Sequence, residues 1–272
     1  MGVTYILVAL GLTLIFSIMR IINVAHGEIY MLGAFLTFYL TSLYHINYFF
    51  SLLIAAAAAG FFGLCLERFL FRPVEERGLV VSIIIITGLM LILQGGAQIL
   101  FGTQGRGMPE VFQGNLTFFS ISLSISRIIT SLIGIALVFG VYCFVYKTKQ
   151  GKALQAIAED REAASLQGIN VHRLTALGFF IAFALAAAAG GLIAPIFFID
   201  ATMGGTILFK SLSIVILGGI GSIHGAALGG LILGVLESFG LRFLGYSSYT
   251  FPFLIIILIL IVRPQGLLGK DV

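Results

Sequence analysis

The chain has 272 residues, 60% of them hydrophobic and 10% charged, with a mean hydropathy of +1.14. A soluble domain carries about a quarter charged residues, so this composition excludes an ordinary water-soluble fold and specifies an integral membrane protein. Fifteen Lys and Arg stand against eleven Asp and Glu, and because the basic residues lie between apolar runs the excess reports topology, not nucleic-acid binding.

A bilayer crossing needs ~20 apolar residues, which predicts an all-α polytopic protein of about eight or nine membrane helices in a single transmembrane domain spanning 1–272. Residues 3–19 are the first predicted span. No basic segment or A-x-A site accompanies them, so they are expected to stay in the membrane and not to be a cleaved leader. They lead into Arg20, Asn23, His26 and Glu28. Polar groups this dense between apolar runs cost several kcal/mol each against lipid, so they are expected to face protein, water or the interface. Residues 27–44 and 48–66 are the next spans, and the small run 55–60 permits close helix approach. Residues 67–78 read as a charged loop with Arg68, Arg72 and Arg77, in which Pro73 is expected to break any continuing helix. The fourth span, 79–100, carries Thr87, Gln94 and Gln98 on one helical face, expected to look inward. A mixed-polarity loop at 101–124 precedes the fifth span, 127–146.

Residues 147–173 form the one sustained polar island, KTKQGKALQAIAEDREAASLQGINVHR. Gln150-Gly151 are expected to make a turn. From Lys152 to Gln167 there is no Gly, Pro or aromatic, so one or two short helices outside the membrane are predicted, with Gly168 as the stop. Leu154, Ile157 and Ala158 share one face, while Gln155, Glu159 and Glu162 take polar positions. The alanine-rich surface suits docking in another protein's groove, and a solvated connector is the plainer alternative. The sixth span is 174–194, with a small-residue stretch at 184–191. Residues 206–237 are apolar but interrupted by Gly218-Gly219-Ile220-Gly221-Ser222-Ile223-His224-Gly225, which predicts two short helices joined by a Gly-rich break, covered by protein or lining a cavity. The last span is 249–262, ended by Arg263-Pro264. The basic clusters 68–77, 147–173 and 263–270 fall on one side, the cytoplasmic one, if the broken segment counts as two crossings.

Much chemistry is missing. No G-x-x-x-x-G-K-[ST] occurs, so the chain has no P-loop for ATP hydrolysis. His26-Gly27-Glu28 lacks a second nearby His or Cys ligand pair for a metal. No nucleophile constellation suggests a membrane enzyme, and Cys65 and Cys143 read as small packed hydrophobes. His26 and Glu28 either fix a helix break as a hydrogen-bonded pair or line a pathway. His224, alone in its Gly break, is either a packed turn residue or a substrate contact.

The segment Ile22-Asn23-Val24-Ala25-His26-Gly27-Glu28-Ile29-Tyr30-Met31-Leu32-Gly33 resembles the N-terminal signature of permease subunits of branched-chain amino acid ABC transporters. The stretch from Gly151-Lys152 through Ala158-Glu159-Asp160 to Gly168-Ile169-Asn170 is similar to that family's cytoplasmic loop. Leu217 to Gly225, Gly229 to Gly234 and Arg263-Pro264-Gln265-Gly266-Leu267-Leu268-Gly269 complete a series in family order over nearly the whole chain, with His224 where Pro is common. The resemblance implies a subunit that pairs with a second, related permease. Two cytoplasmic ATP-binding subunits would use the ATP, docking on Gly151, Lys152, Leu154, Ala158, Glu159, Asp160 and Gly168. An extracytoplasmic binding protein would deliver a branched-chain or other hydrophobic amino acid, and no cofactor or metal is expected on this chain. Urea and short-chain amide permeases look much alike. An ion-coupled secondary transporter, the other alternative, would need mid-membrane carboxylates, whereas Glu28 and Glu237 each lie near the end of a span. Asn23, His26, Glu28, Gly218, Gly219 and His224 are the expected pathway or gate residues, with the two breaks approaching one another.

Overall fold

A computed structural model describes residues 1–75, 77–109, 111–112, 114–118, 121–244 and 251–269; Glu76 of the charged loop, the first two residues of the last predicted span and Lys270 lie outside these. The fold is a helical bundle: α1 Gly2–Met19, α2 His26–Ser42, α3 Tyr48–Leu66, α4 Arg72–Glu75, α5 Leu79–Phe101, α6 Ile125–Lys147, α7 Lys149–Glu159, α8 Arg161–Leu166, α9 Val171–Ile193, α10 Met203–Gly218, α11 Ile223–Leu244 and α12 Phe251–Val262. Six helices among the described residues are long and apolar enough to cross a bilayer, and Met203–Gly218 is a shorter apolar helix. The chain is a multi-pass membrane protein.

Helices α1 and α9 form the centre, α9 packing against α1, α2 and α3. In lipid the solvent-squeezing term is absent and helices associate by van der Waals fit, so small residues gather where backbones meet. The predicted stretch 184–191 does this: Ala186, Ala187 and Ala189 are fully buried. A Cβ on Gly190 would stand 1.9 Å from the Tyr30 carbonyl oxygen, so α2 and α9 touch backbone to backbone. Phe71 and Phe179 rings lie 4.8 Å apart, joining the end of α3 to α9. Helix α5 is peripheral, with Gln94 and Gln98 half-buried on it, and the Thr87 hydroxyl donates to its own helix at Ile83.

Three local expectations are corrected. Pro73 does not stop the helix: α3 runs through a π-type turn, Glu67–Phe71, into α4. A π turn widens the backbone ahead of Pro73, whose ring would otherwise meet the carbonyl four residues back. Gln150-Gly151 are not a turn but the first turn of α7, begun by Thr148, whose hydroxyl accepts from the Gly151 N–H at 2.9 Å. The loop 101–124 holds a hairpin, Asn115–Phe118 against Ile121–Ser124, with Leu116 opposite Leu123. Arg106 pins the rest of this loop by a bridge to Ile199 and by stacking 5.4 Å from the Tyr39 ring centre.

The Gly-rich break closes on the C-terminal motif. Leu267 and Leu268 N–H groups donate to the Leu217 and Gly218 carbonyls at 2.7 and 3.0 Å. They satisfy carbonyls that the end of α10 would leave bare. Gly266 allows this with φ of 79°. The two motifs, remote in sequence, are one cap.

Candidate functional site

At one end of the bundle the polar island is a built platform. Asp160 ends α7 in extended conformation, and its carboxylate accepts from the Ala163 N–H at 2.9 Å, so one residue separates two helices and caps the second. Leu154 and Ile157 bury the apolar face of α7, which packs on α1, α6 and α9. Gln155 Nε2 donates to the Val145 carbonyl at 2.8 Å, and Arg20, at the left-handed end of α1, donates to the Ala158 carbonyl at 2.7 Å. Arg161 pairs with Glu75. The basic residues of 20, 68–77, 147–173 and 263 therefore share one end. Lys152, Glu159, Asp160, Glu162 and Gly168 are exposed, Ala158 is half-buried, and Leu166 on α8 is 88% exposed.

Inside the bundle, residues 20–25 climb back into the core without helix and α2 begins at His26, beside the middle of α1. The His26 ring points at the Val8 carbonyl without a fully formed hydrogen bond, meets the Phe183 ring edge-on at 5.9 Å, and would be 2.8 Å from a Cβ on Gly11. Asn23 is buried and its Oδ1 accepts from the Ala25 N–H at 3.1 Å, shaping the turn, while its Nδ2 is unbonded. The Glu28 carboxylate lies over the first turn of α10, 2.5 Å from a Cβ position on Gly204, with Oε2 unbonded. A helix N-terminus favours negative charge. Asn23, His26 and Glu28 are thus gathered on α1, α9 and α10, with His26 and Glu28 directed at different helices and not at each other.

The Gly break is built on other neighbours. Gly218 and Gly219 pack against Gly225 and the C-terminal segment, Gly221 receives Ser17 Oγ at 3.4 Å, and His224 faces outward, its Nδ1 3.1 Å from the Tyr146 hydroxyl. His224 belongs with Tyr142 and Tyr146 of α6, not with His26.

At the opposite end lies a feature that the sequence reading did not single out. A cavity of about 230 Å³ is lined by the ends of α1, α2, α9 and α10, among them Tyr5, Tyr30, Ile193, Asp200, Thr206 and Lys210. Lys210 makes an ion pair with Glu237 of α11 at 2.6 Å, their side chains 11% and 4% exposed. The available signal was a lysine between apolar neighbours in 206–237. Among the described residues no group of three or more His, Cys, Asp or Glu could hold a metal.

A multi-pass bundle with a helix that starts at mid-depth, buried intramembrane charges and a structured amphipathic platform at its basic end is the build of a transport permease. The chain belongs to the family described as "Branched-chain amino acid transport system / permease component", whose model matches residues 1–263. It is 34% identical to the high-affinity branched-chain amino acid transport system permease protein BraD of Pseudomonas aeruginosa over 99% of this chain and 92% of that one. It is 33% identical to the permease protein LivH of Escherichia coli K12 over the same shares. Among solved structures, PsaBC from Streptococcus pneumoniae in complex with Fab matches with a TM-score of 0.51 at 13% identity over 97% of this chain and 91% of that one, which shows a shared fold alone.

Proposed function

We propose that the chain is a permease subunit of an ATP-driven importer of branched-chain or other hydrophobic amino acids in the cytoplasmic (inner) membrane. It forms the passage together with a second, related permease, and it has no catalytic site of its own. Two ATP-binding subunits dock on 147–173 at the basic, cytoplasmic end, and an extracytoplasmic binding protein delivers substrate at the other end. The observation that carries this reading is the platform. Helix α7 is fixed to α1, α6 and α9 by Leu154, Ile157 and Gln155, while α8 presents a large apolar side chain to water at Leu166. An exposed apolar knob on a rigid base suits a docking partner better than a connector. Because α7 touches α1 directly, force on the platform reaches the helix against which His26 packs.

Docking alone moves nothing. The ATPase must bind the two permease conformations with different affinity, since only differential binding shifts an equilibrium. The pathway residues in this reading are Asn23, His26 and Glu28 on the mid-depth break. The capped break at Gly218, Gly219 and His224 acts as a pivot beside the platform. Helix α5, on which Gly88, Gly95 and Gly96 have no heavy atom within 4 Å, offers an open small-residue face to the second permease.

The test is co-purification. A tagged permease expressed with the ATP-binding and binding-protein chains encoded beside it should bring down two ATP-binding subunits, and loaded binding protein should raise their ATPase rate. A permease that purifies without any ATP-binding subunit contradicts the reading.

A further inference from the structure

Arg20 ends α1 with φ of 58° and ψ of 20°, its N–H closing the helix on the Phe16 carbonyl at 2.8 Å. Left-handed backbone is the ordinary place for glycine, and asparagine or aspartate tolerate it through a short polar side chain; arginine has neither property. A residue held against its backbone preference points to use at a clamp or a switch. What the arginine supplies is reach. It is exposed, and its Nη2 donates at 2.7 Å to the Ala158 carbonyl, 138 positions away. That carbonyl lies in the last turn of α7, among those that a helix end leaves bare and where a cation is favoured. The same stretch of α1 meets other features. Ser17 Oγ stands 3.4 Å from the Gly221 carbonyl of the Gly-rich break. A Cβ on Gly178 of α9 would lie 2.5 Å from Ile18 and 3.8 Å from Leu154, so α1, α7 and α9 are closely packed there. Just beyond Arg20 the chain leaves the helix: Ile21, Asn23 and Ala25 are buried, and α2 starts at His26. Platform, Gly-rich break and mid-depth break thus converge on Ser17 to Arg20.

We propose that Arg20 couples the platform to the passage: its guanidinium carries movement of α7 into residues 21–25, and so to Asn23 and His26. Leu154 and Ile157 hold α7 to the bundle by an apolar face, a contact along which packed helices can slide. The Arg20 bond is directional. It fixes the C-terminal end of α7, next to Asp160 and the docking helix α8, to the point where the chain turns back into the core. Residues 21–25 form no helix, so they can shift without breaking one. An exposed bond of this kind adds little to stability, so its removal should leave the fold standing and show in the coupling. This role rests on the reading of 147–173 as the ATPase dock.

The experiment uses the assembled transporter in proteoliposomes with loaded binding protein, and reads ATP-binding subunit retained, ATP hydrolysed and leucine taken up. Arg20→Asn keeps a residue that accepts the left-handed backbone and removes the reach, and Arg20→Gly does the same without strain. Both should assemble fully and hydrolyse ATP at the unaltered basal rate. Leucine taken up per ATP should fall by at least about 2-fold and up to about 30-fold, the range that changes along a coupling connection produce. Arg20→Lys, which keeps a cationic donor on a long stem, should recover most of that loss. A merely structural role would lower assembly or the melting temperature and leave uptake per ATP where it was. Unaltered uptake per ATP in the asparagine and glycine variants overturns the coupling role, as does an equal loss in Arg20→Lys. Failure of both to retain the ATP-binding subunits overturns it as well, since Arg20 would then belong to the fold or to the dock. These results leave the transport reading standing. An unaltered complex that hydrolyses ATP without importing leucine overturns that reading and the coupling role with it.

Discussion

Leu166→Ala separates docking from folding more sharply than any other change on the platform. The side chain is 88% exposed in the isolated subunit, so truncation should alter folding and insertion by less than about 0.5 kcal/mol. If an ATP-binding subunit covers it, the burial at stake is that of a leucine, about 1.5–3 kcal/mol. At 1.4 kcal/mol per factor of ten, the permease should bind that subunit roughly 10- to 100-fold more weakly. Leu154→Ala is the contrasting case: with 5% exposure under α7, it should cost about 2–5 kcal/mol of local packing and lower the yield of folded permease. Titrating purified ATP-binding subunit onto permease in nanodiscs, followed by fluorescence anisotropy, reads the affinity; thermal unfolding reads the fold. A Leu166→Ala permease that binds as tightly as the unaltered one, within error, refutes the argument that α8 is the docking element.

Gly266→Ala should loosen the cap on α10, since φ of 79° costs an alanine about 1–2 kcal/mol and its Cβ would stand 2.6 Å from the Gly219 nitrogen; a purified variant that melts at the wild-type temperature would show that the cap contributes nothing. A single cysteine at Gln167 should react with an impermeant thiol reagent only from the inner face of oriented vesicles, and labelling from outside would invert the topology. Glu28→Gln and His26→Ala should each lower uptake per assembled complex more than they lower assembly with the ATP-binding subunits. Wild-type uptake by both would reduce the mid-depth break to a packing feature.

Apolar run length placed the helices well because a bilayer imposes a length on each one. The predicted spans 3–19, 48–66 and 79–100 are α1, α3 and α5 to within a residue, and Gly218 to Gly225 does split 206–237 into α10 and α11, but only α10 is short: α11 runs on past 237 and is long enough to cross a bilayer. What failed was local detail governed by backbone geometry that composition does not encode. The π turn that carries Pro73 inside a helix is one case, and Thr148 taking the cap ahead of Gly151 is another. The mutual capping of the Gly-rich break and the Leu267-Leu268 segment is a contact between residues some fifty apart, and no pattern within either stretch announces it. Of the candidate site, Asn23, His26 and Glu28 were legible as polar residues between apolar runs, and the structure gathers them at mid-depth. Glu237, read as lying near the end of a span, instead pairs with Lys210 on the preceding helix, a partnership between helices that apolar run length does not encode.

The most direct measurement of the central claim is uptake of radiolabelled leucine into proteoliposomes containing the permease pair and ATP-binding subunits, with loaded binding protein outside and ATP sealed inside. The account predicts accumulation that requires hydrolysable ATP, stops with ADP, and persists when proton and sodium gradients are collapsed. Accumulation that follows an ion gradient and ignores ATP would contradict it.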